Sequence, residues 1–354
     1  MLNSRRTARL IRETIEQLEL DLSGLSVLTE AATGHYAVTA AIAVAAGADR
    51  VFAVARDSAW GPAIDAAGAT RDMVLSSTGK DNLTIVDEAS PDVLSVADVV
   101  TNLGFVRPLD EERIKHLKPT AVVSLMCEPW EVRPGDVDVS ACSRRGIAVL
   151  GTNESTPGWP LFTYSGPLAV QMLLEAGIEV LGTRVTVLGR DRFAPEIAKG
   201  LRRSGAVVRV DRRLTRSSSL AAVRGAEAIV VADYASDDVI VGASGLITTL
   251  DLARLAPDAT IVQFAGGVDD EHLRANGHHV WPSPVVPPRR MSRTFAALGP
   301  KPVIQLHAAG LRVGEAVARL RLQGVPPDDA VDAVCRDLPI ASPVVRATST
   351  PVRP

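Results

Sequence analysis

Residues 185–211, VTVLGRDRFAPEIAKGLRRSGAVVRVD, read as strand, tight turn, helix, strand, with Gly189, Arg190, Asp191 and Arg192 in the turn and Asp211 closing the second strand. A turn that opens a helix presents backbone N–H groups and the positive end of the helix dipole. That suits a pyrophosphate, and an acidic residue closing the second strand suits ribose hydroxyls. Against G-x-G-x-x-G/A, Gly189 and Ala194 fill the first and third positions, and Asp191 stands at the second. The missing glycine is the one that lets the backbone come close to the phosphates. In one reading Arg190 and Arg192 neutralise the pyrophosphate instead, Phe193 opens the helix, and Asp211 binds the ribose of NAD. Arg212 and Arg213 next to it would equally hold a 2′-phosphate, so NADP stays open. In the other reading Asp191 is an N-cap and Asp211 a solvated strand end. Asp233, Ala265 and Gly266, at the ends of two later strands, complete the candidate cofactor set.

A second group lies at strand ends in the first half: Glu30, Gly34 and His35 in TEAATGHYA, Asn102 and Arg107 in VVTNLGFVRPL, and Glu128, Trp130 and Arg133 in MCEPWEVRP. Asn153 and Glu154 follow at a turn-rich boundary. The carboxyl ends of parallel strands are the usual place for ligand contacts, and an arginine there can grip a carboxylate or phosphate bidentately. Each residue taken singly also reads as a cap or a surface pair. His307, read as closing an apolar strand over residues 303–306, has the ring chemistry for proton transfer, or is a buried structural histidine. His278 and His279 are adjacent, face opposite ways on a strand, and make a shared metal site improbable; no metal is expected.

Elements must hold these groups in place. Apolar strand-length runs alternate with helical ones, which predicts an α/β protein with two doubly wound, parallel-sheet (Rossmann-like) domains and an interdomain cleft. Strands are expected at 26–30, 50–55, 99–103, 121–126 and 147–150, then at 184–188, 207–210, 228–232, 260–264, 279–281 and 303–306. The predicted division is an N-terminal substrate domain over residues 1–155 and a dinucleotide-binding domain over 156–310. C-terminal helices and a loose tail over 311–354 follow. TGKDNLT, residues 78–84, reads as a polar loop; it lacks the spaced glycine and GK[ST] ending of a P-loop.

Bulk properties narrow the function. Of 354 residues, 46% are hydrophobic and 22% charged, and the net charge is −3, which argues against a nucleic-acid partner. No run has membrane-spanning length, and the start of the chain lacks a signal-peptide core. Three unclustered cysteines, Cys127, Cys142 and Cys335, disfavour a disulfide framework, so a cytoplasmic location is expected.

Three segments resemble the formate/glycerate dehydrogenase-like superfamily, which includes D-2-hydroxyacid dehydrogenases and, more distantly, S-adenosylhomocysteine hydrolase. These are VDVSACSRRGIAVLGT (137–152), the 185–211 unit, and IQLHAAGLRVGEA (304–316). The resemblance implies a catalytic role for His307 and a homodimer. It also implies an arginine after TIVQFAGG, where Ala265 and Gly266 stand, and an acidic partner before His307, where residues 282–306 offer no Asp or Glu. The function expected is an NAD(P)-dependent oxidoreductase acting on a small polar, anionic metabolite. The alternatives are a non-redox enzyme with retained NAD and a non-catalytic small-molecule-binding protein.

Overall fold

The computed structural model describes residues 4–79, 82–133 and 135–344. The chain forms two compact units, Met1–Pro160 with Gly299–Pro354, and Leu161–Leu298. The first is therefore built from two separated stretches of sequence, and the second is continuous.

The first unit holds β1 (Ser26–Glu30), β2 (Arg50–Val54), β3 (Leu83–Val86), β4 (Val99–Thr101), β5 (Val122–Ser124) and β6 (Ala148–Thr152). The second holds β7 (Arg184–Leu188), β8 (Val207–Asp211), β9 (Ala228–Ala232), β10 (Val239–Val241), β11 (Thr260–Ala265), β12 (Gly267–Val268) and β13 (Val280–Trp281). The chain then returns to the first unit as β14 (Ala341–Pro343). The first sheet runs β3-β2-β1-β4-β5-β6-β14, with β14 alone antiparallel. The second runs β8-β7-β9-β11-β13, all parallel, and β10 pairs with β12 separately. Strands such as VVT, VVS and AIVVA are buried at every position, as parallel strands covered on both faces must be. In each sheet the winding reverses beside its first strand, between β1 and β4 and between β7 and β9. Such reversals open a crevice at the carboxyl ends.

Residues 303–306 correct the sequence expectation. They lie inside a helix, Pro300–Leu322, that belongs to the first unit. A short apolar run does not by itself distinguish strand from buried helix. Two glycines inside a helix cost about 1 kcal/mol each relative to alanine, and here close packing offsets them. A Cβ on Gly310 would sit 2.4 Å from Met126 Sδ, and one on Gly314 2.7 Å from Val99 Cγ1. Ser124 Oγ donates to Gly310 O at 2.5 Å. The small residues of HAAGLRVGEA thus let a helix lie directly on β4 and β5.

The polar stretch 78–84 also differs from expectation. The helix Ala63–Thr78 runs to its first residue, and Leu83 and Thr84 already belong to β3, while Lys80 and Asp81 lie outside the described residues. Among the described residues no helix is long and apolar enough to cross a membrane, and no cluster of side chains could hold a metal ion.

Candidate functional site

The turn after β7 keeps Gly189 for a steric reason. A Cβ there would stand 1.8 Å from Ala232 O and 3.2 Å from the Ala194 side chain, so both small residues are demanded by packing of the helix Phe193–Arg203 against the strands. Asp191 turns inward. Its Oδ1 accepts from Phe193 N at 2.9 Å and its Oδ2 from Tyr234 N at 2.6 Å, and burial pushes its carboxyl up to about 6. Arg190 N donates to Asp233 Oδ1 at 2.8 Å, and the Arg190 guanidinium pairs with Asp233 at 2.6 Å and Asp238 at 2.8 Å. The N–H groups of Arg190 and Phe193 are therefore already satisfied by the chain's own carboxylates.

The rest of the proposed cofactor set is committed in the same way. Asp211 is 4% exposed and accepts four hydrogen bonds, from Arg213 N, Leu214 N, Ser218 Oγ and Ser219 Oγ. Arg212 donates to Arg190 O. Phe193 is core, with ring centroids 5.1 Å from Phe162 and 5.5 Å from Phe264. Arg192 sits at the helix N-cap position. Ala265 is buried, and Gly266 takes φ +98° with a Cβ position 2.9 Å from Asp233 O. A dinucleotide in the usual pose needs free N–H groups in the turn and a free carboxylate after β8. Here the N–H groups of Arg190 and Phe193 are taken, the carboxylate after β8 is sealed under four donors, and the buried acid Asp191 stands in the turn itself. The residues do not fit the group.

At the carboxyl ends of the first sheet the structure brings several expected residues together. Glu30, the last residue of β1, spans the switch point and accepts from Phe105 N at 3.2 Å. Burial raises its carboxyl, against the opposing pull of the Arg107 charge. Asn102 accepts from Met126 N at 2.8 Å, with its Nδ2 3.6 Å from Cys127 Sγ. Glu128 accepts from Glu154 N at 3.0 Å and from Trp130 Nε1 at 2.8 Å, and Glu131 accepts from Glu128 N at 3.0 Å. Glu154 is buried beside Glu131 and Glu128, and burial, with their charge, pushes its carboxyl well up. Burial, and after it the charge of Glu131, pushes the Cys127 thiol well up. Arg107 and Arg133 both pair with Asp136, at 2.8 and 3.1 Å.

Three candidates lie apart from that cluster. Asn153 ties the end of β6 to the C-terminal segment, its N–H donating to Ile340 O at 2.7 Å. His35 sits in the turn after β1 with a buried Nδ1 that has no partner among the described residues, and desolvation lowers it. His307 lies mid-helix, not at a strand end, with Nδ1 2.6 Å from Thr39 Oγ1 and its ring 6.0 Å from Tyr36. Burial lowers it to about 4, so it is neutral and enclosed among helices. Sequence reasoning passed over Cys127 and Glu131 as site residues. The signal for Glu131 was its place three residues after Glu128, where a short turn brings the two together.

No protein-family profile matches the chain, and no curated protein matches it by sequence. Solved structures do. The dipicolinate synthase component from Bacillus halodurans superposes with a TM-score of 0.53 at 14% identity, over 81% of this chain and 96% of that one. Its counterpart, dipicolinate synthase from Bacillus subtilis, gives 0.53 at 12% identity, over 88% and 99%. The pyruvate reductase of Chlamydomonas reinhardtii gives 0.51 at 11% identity, over 84% and 97%. The likeness is one of fold.

Proposed function

We propose that the protein is a nicotinamide-dependent oxidoreductase acting on a small polar, anionic metabolite at the carboxyl ends of the first unit's strands, and that the turn at 185–211 does not hold its nucleotide. The oxidoreductase class rests on the fold shared with a pyruvate reductase. The observation that carries the substrate side is the cluster of Glu128, Glu131 and Glu154, in which Glu128 accepts from Glu154 N, Glu131 accepts from Glu128 N, and burial pushes the Glu154 carboxyl well up. A carboxylic acid kept neutral by burial, next to an ionised one, can give a proton to an oxygen gaining negative charge and later recover it. Arg107 and Arg133, both paired with Asp136 at a partly exposed rim, are the cations the site offers to an anion. His307 has no part in this reading, because it is enclosed and neutral.

Calorimetry with NADH, NADPH, NAD and NADP, followed by nucleotide oxidation assays across a panel of 2-oxoacids, tests the proposal. Expected are binding of one nucleotide pair and a turnover lost in Glu154→Gln; absence of binding by all four nucleotides overturns it. The closed turn favours a second reading, a metabolite-binding protein without redox chemistry. That reading predicts acid binding with no nucleotide oxidation. A homodimer is part of the favoured reading, and native mass spectrometry reads the number of protomers and any retained nucleotide together.

A further inference from the structure

The first unit repeats, in its own β1-to-β2 crossover, the layout that drew attention to residues 185–211. From β1 the chain makes a turn with Gly34 at φ +60°, forms the helix Val38–Ala45, and returns as β2 with Asp57 three residues beyond its end. The interval from Gly34 to Asp57 matches the spacing of about 20 residues between a phosphate turn and a ribose carboxylate. β1 and β2 lie beside the reversal of winding, on the sheet whose order is β3-β2-β1-β4-β5-β6.

A cleft of about 370 Å³ opens at the ends of β2 and β3, lined by Ala55, Arg56, Asp57, Ala63, Asp87 and Glu88. That volume is at the lower end for small-molecule sites. Asp57 is exposed; its Oδ1 accepts from Ala63 N at 2.7 Å, and Oδ2 faces no donor in the described hydrogen bonds. The turn that follows is pinned by reciprocal backbone bonds between Ser58 and Gly61. It carries Trp60 outward at 87% exposure, an indole that no core contact requires. Arg56 is held by Asp87 O, which fixes the cleft wall.

We propose that this cleft binds the ribose of an adenosine-containing nucleotide, Asp57 accepting from the ribose hydroxyls and Trp60 stacking on the base. Three carboxylates, Asp57, Asp87 and Glu88, outnumber the one cation, Arg56, in the cleft wall, so the site favours the unphosphorylated ribose. The assignment rests on the nicotinamide reading for the identity of the nucleotide, and on the cleft alone for the nucleoside.

Calorimetry on the full chain separates the two, with NADH, NADPH, ATP and S-adenosylmethionine as probes and Asp57→Ala and Trp60→Ala as variants. Melting temperature confirms that each variant is folded. The expected result is NADH binding at least tenfold tighter than NADPH, and at least tenfold weaker in each variant. NADH binding that neither variant weakens overturns the cleft and leaves the nicotinamide reading standing. Binding of ATP or S-adenosylmethionine alone, weakened by both variants, supports the cleft and overturns the nicotinamide reading. No binding by any probe overturns both.

Discussion

The crossover from β7 to β8 and the crossover from β1 to β2 have the same plan and opposite chemistry. In the second unit the glycine is hemmed in by backbone, the helix N-terminus is capped by Asp191, and the acidic residue after β8 is sealed under four donors. In the first unit nothing lies within 4 Å of a Cβ on Gly34, no side chain caps the turn at Thr33, and Asp57 is exposed. A sequence fingerprint can therefore persist because strands and helices must pack closely, after the anion site it marks has been filled by the chain's own acids. The weaker fingerprint carries the open carboxylate.

Glycine substitution gives the largest expected contrast. Gly189→Ala should cost about 3 kcal/mol or more, the upper range for overpacking, because a Cβ meets a backbone oxygen. Gly34→Ala should cost only about 1 kcal/mol, for its left-handed φ. Denaturant titration of the two variants measures both, and equal losses would break the contrast. Next, Asp211→Ala should lower stability by about 3 kcal/mol by leaving buried donors unpaired, with nucleotide affinity unchanged. Asp57→Ala should cost less than about 1 kcal/mol, as for an exposed cap, while nucleotide affinity falls.

Two buried groups, one in each unit, should also respond to acid with opposite signs. Asp191 is raised from 3.8 to about 6 in the fold, so its contribution is fully present below 3.8 and is lost as pH rises through 6. Compared with Asp191→Asn, the wild type should lose about 3 kcal/mol of relative stability across that window. His307 is lowered from 6.5 to about 4, so its contribution is present above 6.5 and disappears as pH falls through 4. Against His307→Gln, the wild type should lose about 3 kcal/mol over the fall from 6.5 to 4. Stability curves at several pH values check each sign. The smallest effect is expected for Asp191→Gly, which removes two hydrogen bonds but reopens the turn. Its NADH affinity should rise severalfold if the acid alone keeps phosphate out, and fluorescence titration reads the change.

Most of both sheets was legible, because buried parallel strands are nearly continuous apolar runs, and β1, β7, β9 and β11 begin where the runs begin. β3 was lost because its four residues, LTIV, begin inside the polar stretch read as a loop, and β14 because its three residues end in proline. Glu30, Asn102, Glu128 and Glu154 were named by the rule that ligands meet the carboxyl ends of strands, and the structure sets them at or just beyond those ends of the first sheet. His307 was misplaced because VIQL is too short to show its period. The motif at 185–211 revealed its geometry but not its occupancy, since no spacing rule tells whether an aspartate points at a ligand or at its own helix. Asp57 holds the corresponding place after β2 and was overlooked because its turn has no second glycine.

The helix resting on β4 and β5 through Gly310 and Gly314 comes from the far end of the chain. During synthesis the continuous second unit can therefore finish folding while the earlier-made strands still lack the cover of that helix, although domains ordinarily mature in order of emergence. The oldest part of the chain is the last to be completed.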